Sequence, residues 1–270
     1  MSTDREVVLV TGATSGIGRA TARLLAARGY RVFGTSRRPA FDALDGFELL
    51  QLEVTSDESV AACVRTLAER TGGRIDVLVN NAGTGILGAL EETSADQVRT
   101  LFEVNLFGAV RVTNAVLPLM RARGSGKVLV MSSSGGEAAV PFAGYYCATK
   151  HALEAYTAAL RLELRSFGIT AAVVAPGPVS TPAGDTALRA DRPLAAYEST
   201  RSAATAEYVR AIRGGMDPDR VAETILHVVR TRRPKPRYLV GAQSRAVSLL
   251  RRLLPRGLFE TGVRRVVPSN

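Results

Sequence analysis

Val7-Val8-Leu9-Val10-Thr11-Gly12-Ala13-Thr14-Ser15-Gly16-Ile17-Gly18 is the stretch on which the fold turns. Four apolar residues in a row, without alternation, read as a strand covered on both faces. The glycines that follow permit a tight turn. From residue 17 to 28 the pattern predicts a helix, which Gly29 ends. A strand, a glycine-rich turn and a helix, in that order, let the backbone come close to an anion. The first N–H groups of the helix are unpaired and the positive end of its dipole lies behind them. This is the context that a pyrophosphate-binding turn requires.

Outward from this stretch the alternation continues. Strands are expected at 31–34, 48–52, 76–79, 127–131, 169–174 and 238–240. Helices are expected at 57–70, with Ser56 as N-cap, at 95–121, with Pro118 as a kink or a stop, at 145–167 and at 221–230. Strands alternating with helices imply an α/β fold: one Rossmann-type, doubly wound parallel sheet with helices on both faces. No repeat or linker separates two cores, so residues 1–270 read as a single domain. Residues 183–215 are polar, alanine-rich and weakly helical. They are too long for a plain connection and read as a helical substrate flap. Residues 244–270 form a basic C-terminal extension, with Leu249, Leu250, Leu253 and Leu254 among arginines.

Composition narrows the class. A chain of 270 residues with 46% hydrophobic and 22% charged residues reads as soluble and globular. Cys63, Cys147, His151 and His227 have no metal-ligand spacing, so neither a metal site nor a disulfide framework is expected, and the cysteines read as apolar filler. With a short polar start and no long apolar run, the chain is expected to be cytoplasmic. The net charge is +10, much of it between Arg230 and Arg265. No nucleic-acid motif accompanies it, so no nucleic-acid partner is expected. Residues 244–256 leave three readings: contact with an anionic membrane surface, a cover over the mouth of the site, or a helix packed on the protein itself or a partner subunit. The last is preferred.

Tyr146 stands four residues before Lys150, and Ser133 thirteen before Tyr146. Residues four apart share a helix face. A free tyrosine titrates at about 10, and an adjacent ammonium is expected to lower that value and fit the phenol for proton transfer. Ser133 would share a carbonyl oxygen with it. Strand alternation favours Ser133 over Ser132 and Ser134, Tyr145 points elsewhere on the helix, and His151 turns away. Glu91 and Glu92 read as surface residues. At the end of the second strand, Ser36, Arg37 and Arg38 occupy the place where a carboxylate would bond the ribose 2′-OH of NAD. Cations there welcome a 2′-phosphate, which favours NADP(H) and leaves NAD(H) possible.

The ordered set TGATSGIG at 11–18, NNAG at 80–83, Asn105 to Gly108, Ser133, YCATK at 146–150 and PGPVST at 176–181 resembles the short-chain dehydrogenase/reductase family. The likeness runs from Val7 to Val240 and lies toward the hydroxysteroid and retinol dehydrogenase-like members. It implies hydride transfer, from the 4-pro-S face, between NADP(H) and a carbonyl or secondary alcohol, with Ser133, Tyr146, Lys150 and Asn105 as the catalytic set. By the same resemblance Lys150 also bonds the nicotinamide ribose and Asn105 holds a water that links Lys150 to solvent. Gly12, Ser15, Gly16, Ile17 and Gly18 would line the pyrophosphate and ribose. Glu53 and Val54 would flank the adenine, and Asn81, Ala82 and Gly83 its ribose. Pro176, Gly177, Val179 and Thr181 would face the nicotinamide. Ser15 stands where NADP-preferring members often carry a basic residue. The flap, with Leu87, Val140, Pro141 and Phe142, would shape an apolar pocket for a lipophilic or cyclic substrate. A homodimer or homotetramer is implied, through the helices that hold Asn105 and Tyr146. An NAD-dependent alcohol dehydrogenase of the same family and a non-catalytic NADP(H)-binding regulator are the alternatives.

Overall fold

The computed structural model describes residues 5–38 and 45–264. The end of the basic extension, with Arg265, lies outside the described residues. β1 (Val7–Val10) passes through the glycine turn into α1 (Gly16–Ala27), followed by β2 (Arg31–Ser36), β3 (Glu48–Gln51), α2 (Asp57–Thr71), β4 (Val77–Asn80) and the short β5 (Ile86–Leu87). α3 (Ala95–Phe102) and α4 (Gly108–Arg123) are joined by a π-helical turn, Glu103–Phe107. Next come β6 (Gly126–Met131), α5 (Gly144–Glu163), β7 (Ile169–Pro176), α6 (Ala183–Thr186), β8 (Leu188–Arg189) and α7 (Glu198–Arg213). The chain closes with α8 (Pro218–Arg230), β9 (Arg237–Val240), α9 (Ala242–Leu253) and α10 (Arg256–Arg264).

Seven strands form one parallel sheet in the order β3-β2-β1-β4-β6-β7-β9 among the described residues. Its two faces explain the unbroken apolar runs. Val7 and Leu9 point into a core shared with Leu67 of α2, Val116 of α4 and Leu153 of α5. Val8 and Val10 point into a second core with Leu25 of α1 and Ile225 of α8. Each fully covered leucine or isoleucine there contributes about 2 kcal/mol. Strand order reverses between β1 and β4, so the loops after both strands open into one crevice at their carboxyl ends.

Local signals act as read. Ser56 Oγ accepts the Ser59 N–H at 3.1 Å, and Asp57 and Glu58 sit at the positive end of α2. Several expectations change, and one contact is new. The helix expected at 95–121 is broken by the π turn around Asn105, whereas Pro118 lies inside α4 without ending it. The helix expected at 145–167 gives way to a 3-10 turn at Leu164–Phe167. β5 and β8 pair with each other, a contact no periodicity announces. The flap is more ordered than weak helicity implied, since α7 runs for 16 residues.

Glu92 is the clearest correction. Glu91 is exposed and accepts the Tyr197 hydroxyl at 2.9 Å, but Glu92 has no exposed surface. Glu92 Oε2 accepts the Ala89 N–H at 3.0 Å, and its Oε1 accepts the Leu194 N–H at 2.8 Å and pairs with Arg201 of α7. Burial alone would raise this carboxyl, but those two N–H groups and the guanidinium hold it below the usual range. Asp191 adds a second tie, accepting the Ser94 N–H at 2.9 Å and the Ser94 hydroxyl at 2.5 Å. The flap is thereby latched to the loop that precedes α3.

Candidate active site

The glycine turn is built for close approach. Gly12 (φ +67°) and Gly16 (φ +50°) are left-handed. A Cβ on Gly18 would lie 2.2 Å from the Gly12 carbonyl oxygen and 2.5 Å from Asn81 Nδ2, so only glycine fits. Ser15 is the N-cap of α1 and is extended, its side chain makes no cap bond, and the first turn holds no acidic residue. The N–H groups at the start of α1 are thus left for an anion, and the turn fits a dinucleotide pyrophosphate. Ile17, half-buried, packs behind it.

Neighbouring loops hold this turn in place. Thr11 Oγ1 accepts the N–H groups of Asn81 and Ala82, both at 2.9 Å. Asn81 Nδ2 donates to the carbonyls of Thr11 at 2.9 Å and Gly12 at 3.1 Å. Thr181 reaches across from the loop after β7, its Cγ2 3.0 Å from a Cβ built on Gly16. In that loop Pro176 ends β7, the Gly177 N–H donates to the Val240 carbonyl at 3.0 Å, and buried Val179 bridges to Met216.

At the other end of the crevice, Arg37 and Arg38 are exposed beyond β2. The Arg38 N–H donates to Ser36 Oγ at 3.2 Å, and the Arg37 carbonyl accepts Gln51 Nε2 at 3.4 Å. The Glu53 carboxylate ties the turn after β3, accepting the Thr55 N–H at 3.1 Å and its hydroxyl at 3.0 Å. Val54 is buried against Gly108, where an added Cβ would meet Val54 Cγ2 at 2.8 Å.

Ser133, Tyr146 and Lys150 come together where β6 ends beside α5. Ser133 is extended, accepts the Gly135 N–H at 3.2 Å, and lies beside the Tyr146 ring, both within 4 Å of a Cβ built on Gly135. Ser132 points the other way, toward Gly136 and Glu154. Lys150 is buried. Its Nζ lies 5.6 Å from the centre of the Tyr146 ring and donates to the Met131 carbonyl at 2.9 Å. Asn105 is buried in the π turn beside Gly83. Its Oδ1 accepts the Thr84 N–H at 2.8 Å, and its Nδ2 donates to the Thr84 carbonyl at 2.9 Å and Thr149 Oγ1 at 3.1 Å. Both amide hydrogens are therefore used to clamp the loop after β4 to the residue preceding Lys150. His151 turns outward and donates through Nδ1 to the Cys147 carbonyl at 2.9 Å.

The electrostatics differ from the expectation in one respect. Burial pushes the Tyr146 phenol up, Tyr208 of α7 adds to that, and the neighbouring Ser133 hydroxyl opposes it. The expected lowering of this phenol by Lys150 is not what dominates. Burial also pulls Lys150 down to about 8, against the opposing charge of Glu154. A low-dielectric pocket penalises both charged forms, and the phenol and the ammonium both shift toward neutrality. Burial raises the Cys63 thiol to about 11 and the Cys147 thiol as well, as fits two inert, buried fillers.

Two groups were missed by sequence reasoning. Glu154 lies one turn beyond Lys150 and accepts Arg237 Nε at 3.1 Å, while Arg237 also pairs with Glu137. Repeating the four-residue spacing from Tyr146 through Lys150 would have found Glu154. Tyr208 packs with Leu87, Val140, Ala143 and Ala187 into an apolar wall beside Tyr146. Phe142, left-handed at φ +61°, gives its carbonyl to the Gly88 N–H at 2.8 Å and meets the Tyr197 ring edge-on at 6.4 Å. Pro141 is exposed.

Residues 6–192 match the family model described as short chain dehydrogenase. The chain is 35% identical over 243 residues to 3-ketodihydrosphingosine reductase of Bacteroides thetaiotaomicron, covering 87% of this chain and 88% of that protein. It is 42% identical over 192 residues to human 17-beta-hydroxysteroid dehydrogenase type 1, covering 66% of this chain and 58% of that protein. The crystal structure of a short-chain dehydrogenase from Streptomyces avermitilis superposes with a TM-score of 0.83 at 35% identity, over 98% of this chain and 99% of that one. Similar solved structures include examples with NADPH, with NADP and with NAD.

Proposed function

The chain belongs to the short-chain dehydrogenase/reductase family, NAD(P)-dependent oxidoreductases of CH–OH and C=O groups, and from that premise we propose that it interconverts a lipophilic or cyclic ketone and its secondary alcohol, with NADP(H) preferred. One observation carries the reading: Ser133 and Tyr146 lie side by side, with the buried Lys150 Nζ 5.6 Å from the centre of the Tyr146 ring and an apolar wall next to them.

In this reading the two hydroxyls bind the substrate oxygen between them. As negative charge grows on that oxygen, Tyr146 gives up its proton, and in the alcohol-oxidising direction it takes one. Burial keeps the proton on the resting phenol. The Lys150 ammonium acts on the charge that develops during the reaction, where stabilisation accelerates most. Asn105 holds the backbone around Lys150 in register through Thr149. The dinucleotide, when bound, supplies or accepts the hydride. Gly12, Ser15, Gly16, Ile17 and Gly18 would hold its pyrophosphate, Ser36, Arg37 and Arg38 its 2′-phosphate, Glu53 and Val54 its adenine, and Pro176, Gly177, Val179 and Thr181 its nicotinamide.

The cofactor preference draws support from the exposed Arg37 and Arg38, with no acidic side chain paired to either among the described residues. The substrate class draws support from Leu87, Val140, Ala187 and Tyr208, and from relatives named for a ketosphingoid base and a steroid. A homo-oligomer through α4 and α5 belongs to the same reading, supported by Phe107 and Leu162, which are 46% and 74% exposed. Two free, buried thiols suit a reducing cytoplasm. The test is a panel of long-chain, cyclic and short polar ketones followed by absorbance of the reduced nicotinamide. NADPH should be consumed with the apolar ketones, at kcat/KM about tenfold or more above NADH. Silence across the panel with both cofactors would overturn the proposal.

A further inference from the structure

α9 rests on the protein by its small polar residues. Ser244 Oγ donates to the Ala175 carbonyl at 2.7 Å and Ser248 Oγ to Glu137 at 3.2 Å, and both serines are buried. A helix that turns serines inward turns its apolar residues out. Leu249, Leu250 and Leu253 are 58%, 46% and 69% exposed, and Leu258 of α10 is 62% exposed. At helical spacing Ala242, Ala246, Leu249 and Leu253 line one outward stripe, bordered by Arg245 and Arg252. Arg251 and Arg256 are exposed as well. From Thr224 to Phe259 the sequence holds nine Lys and Arg and no Asp or Glu, and Glu260 of α10 pairs with Arg256 at 2.8 Å.

We propose that α9 and α10 dock this protein onto the surface of a bilayer rich in anionic lipid. The charge pattern selects that occupant. Two copies meeting through this stripe would bring their bordering arginines together and repel. A bilayer answers both features, because phosphate headgroups pair with the guanidinium groups while the leucines enter the acyl boundary. The inward serines leave the packing on the sheet intact when the leucines are occupied. Docking would also set the crevice close to the lipid: a Cβ on Gly177 would lie 3.5 Å from Gln243 Cβ and Ser244 N at the start of α9. None of this depends on the redox reading, since the docking helix is defined by its own exposure and charge.

Flotation of the full chain with vesicles, with turnover and melting temperature measured in parallel, tests the idea. The protein should float with an equal mixture of phosphatidylglycerol and phosphatidylcholine at low salt and stay behind with phosphatidylcholine alone. Leu249→Ser with Leu253→Ser should cut partitioning by about tenfold or more, and Arg245→Glu with Arg252→Glu should do the same. Both pairs should leave melting and turnover unchanged. Failure of the wild type to float on the anionic vesicles would overturn the proposal. So would leucine variants that float like the wild type, which reduces the contact to charge adsorption. A lipid-indifferent dimer that the leucine substitutions dissociate would hand the face to a second copy.

Discussion

Lys150 is buried and donates to the Met131 carbonyl, and in the proposed function its position on the pH scale decides when the site works. Burial lowers it to about 8, so it is mostly charged at neutral pH and loses its charge as pH rises through about 8. Carbonyl reduction is therefore expected to fall along a limb near that value in a kcat–pH profile. Glu154 opposes the lowering, so Glu154→Gln should move that limb to lower pH, and a limb that stays put would remove Glu154 from the account. The same lysine affects stability with the opposite slope. Above about 8 the folded chain holds fewer protons here than the unfolded chain, so this group adds stability as pH climbs toward about 10. Arg37 carries the second prediction at this scale. Arg37→Asp should lower the NADPH-to-NADH ratio of kcat/KM by about a hundredfold, since it replaces an attraction for the 2′-phosphate with a repulsion. An unmoved ratio would place the cofactor preference elsewhere.

The glycine turn and the flap are the elements to which the proposed function assigns binding, and they differ in how far the sequence discloses them. The turn is local. Its strand, glycines and helix are contiguous, and the one contact that fixes Gly18, a Cβ 2.2 Å from the Gly12 oxygen, lies within it. Gly18→Ala is expected to weaken dinucleotide binding by at least about tenfold in a fluorescence titration, with the rest of the fold retained. The flap is not local. Glu92 looks like a surface residue until Leu194 and Arg201, about a hundred positions on, close over it. β5 and β8 are two residues each, too short to show a period. The π turn at Asn105 interrupts a helical pattern that the sequence writes without a break, because the amide there finds Thr84 and Thr149. Arg201→Met would leave Glu92 buried without its counter-charge, at a cost of about 3 kcal/mol. Limited proteolysis should then cut the flap faster and KM should rise. Unchanged cleavage and KM would mean that the latch does not position the flap.

At the scale of the whole molecule, the reversal of strand order gathers distant residues into one crevice. The ends of β1, β4 and β6 place Gly12, Asn81 and Ser133 along it, although together they span more than a hundred positions of the chain. Ser133, Tyr146 and Lys150 could be read from spacing because one strand end and one helix carry them. The rise in the phenol could not, because burial and Tyr208 of the flap produce it. The proposed function turns on a single exchangeable proton at Tyr146. The direct measurement is steady-state turnover of Tyr146→Phe with NADPH and an accepted ketone, beside NADPH binding by the same protein. The account predicts a loss of about a thousandfold or more in kcat with binding nearly unchanged. Turnover at the wild-type rate would contradict it.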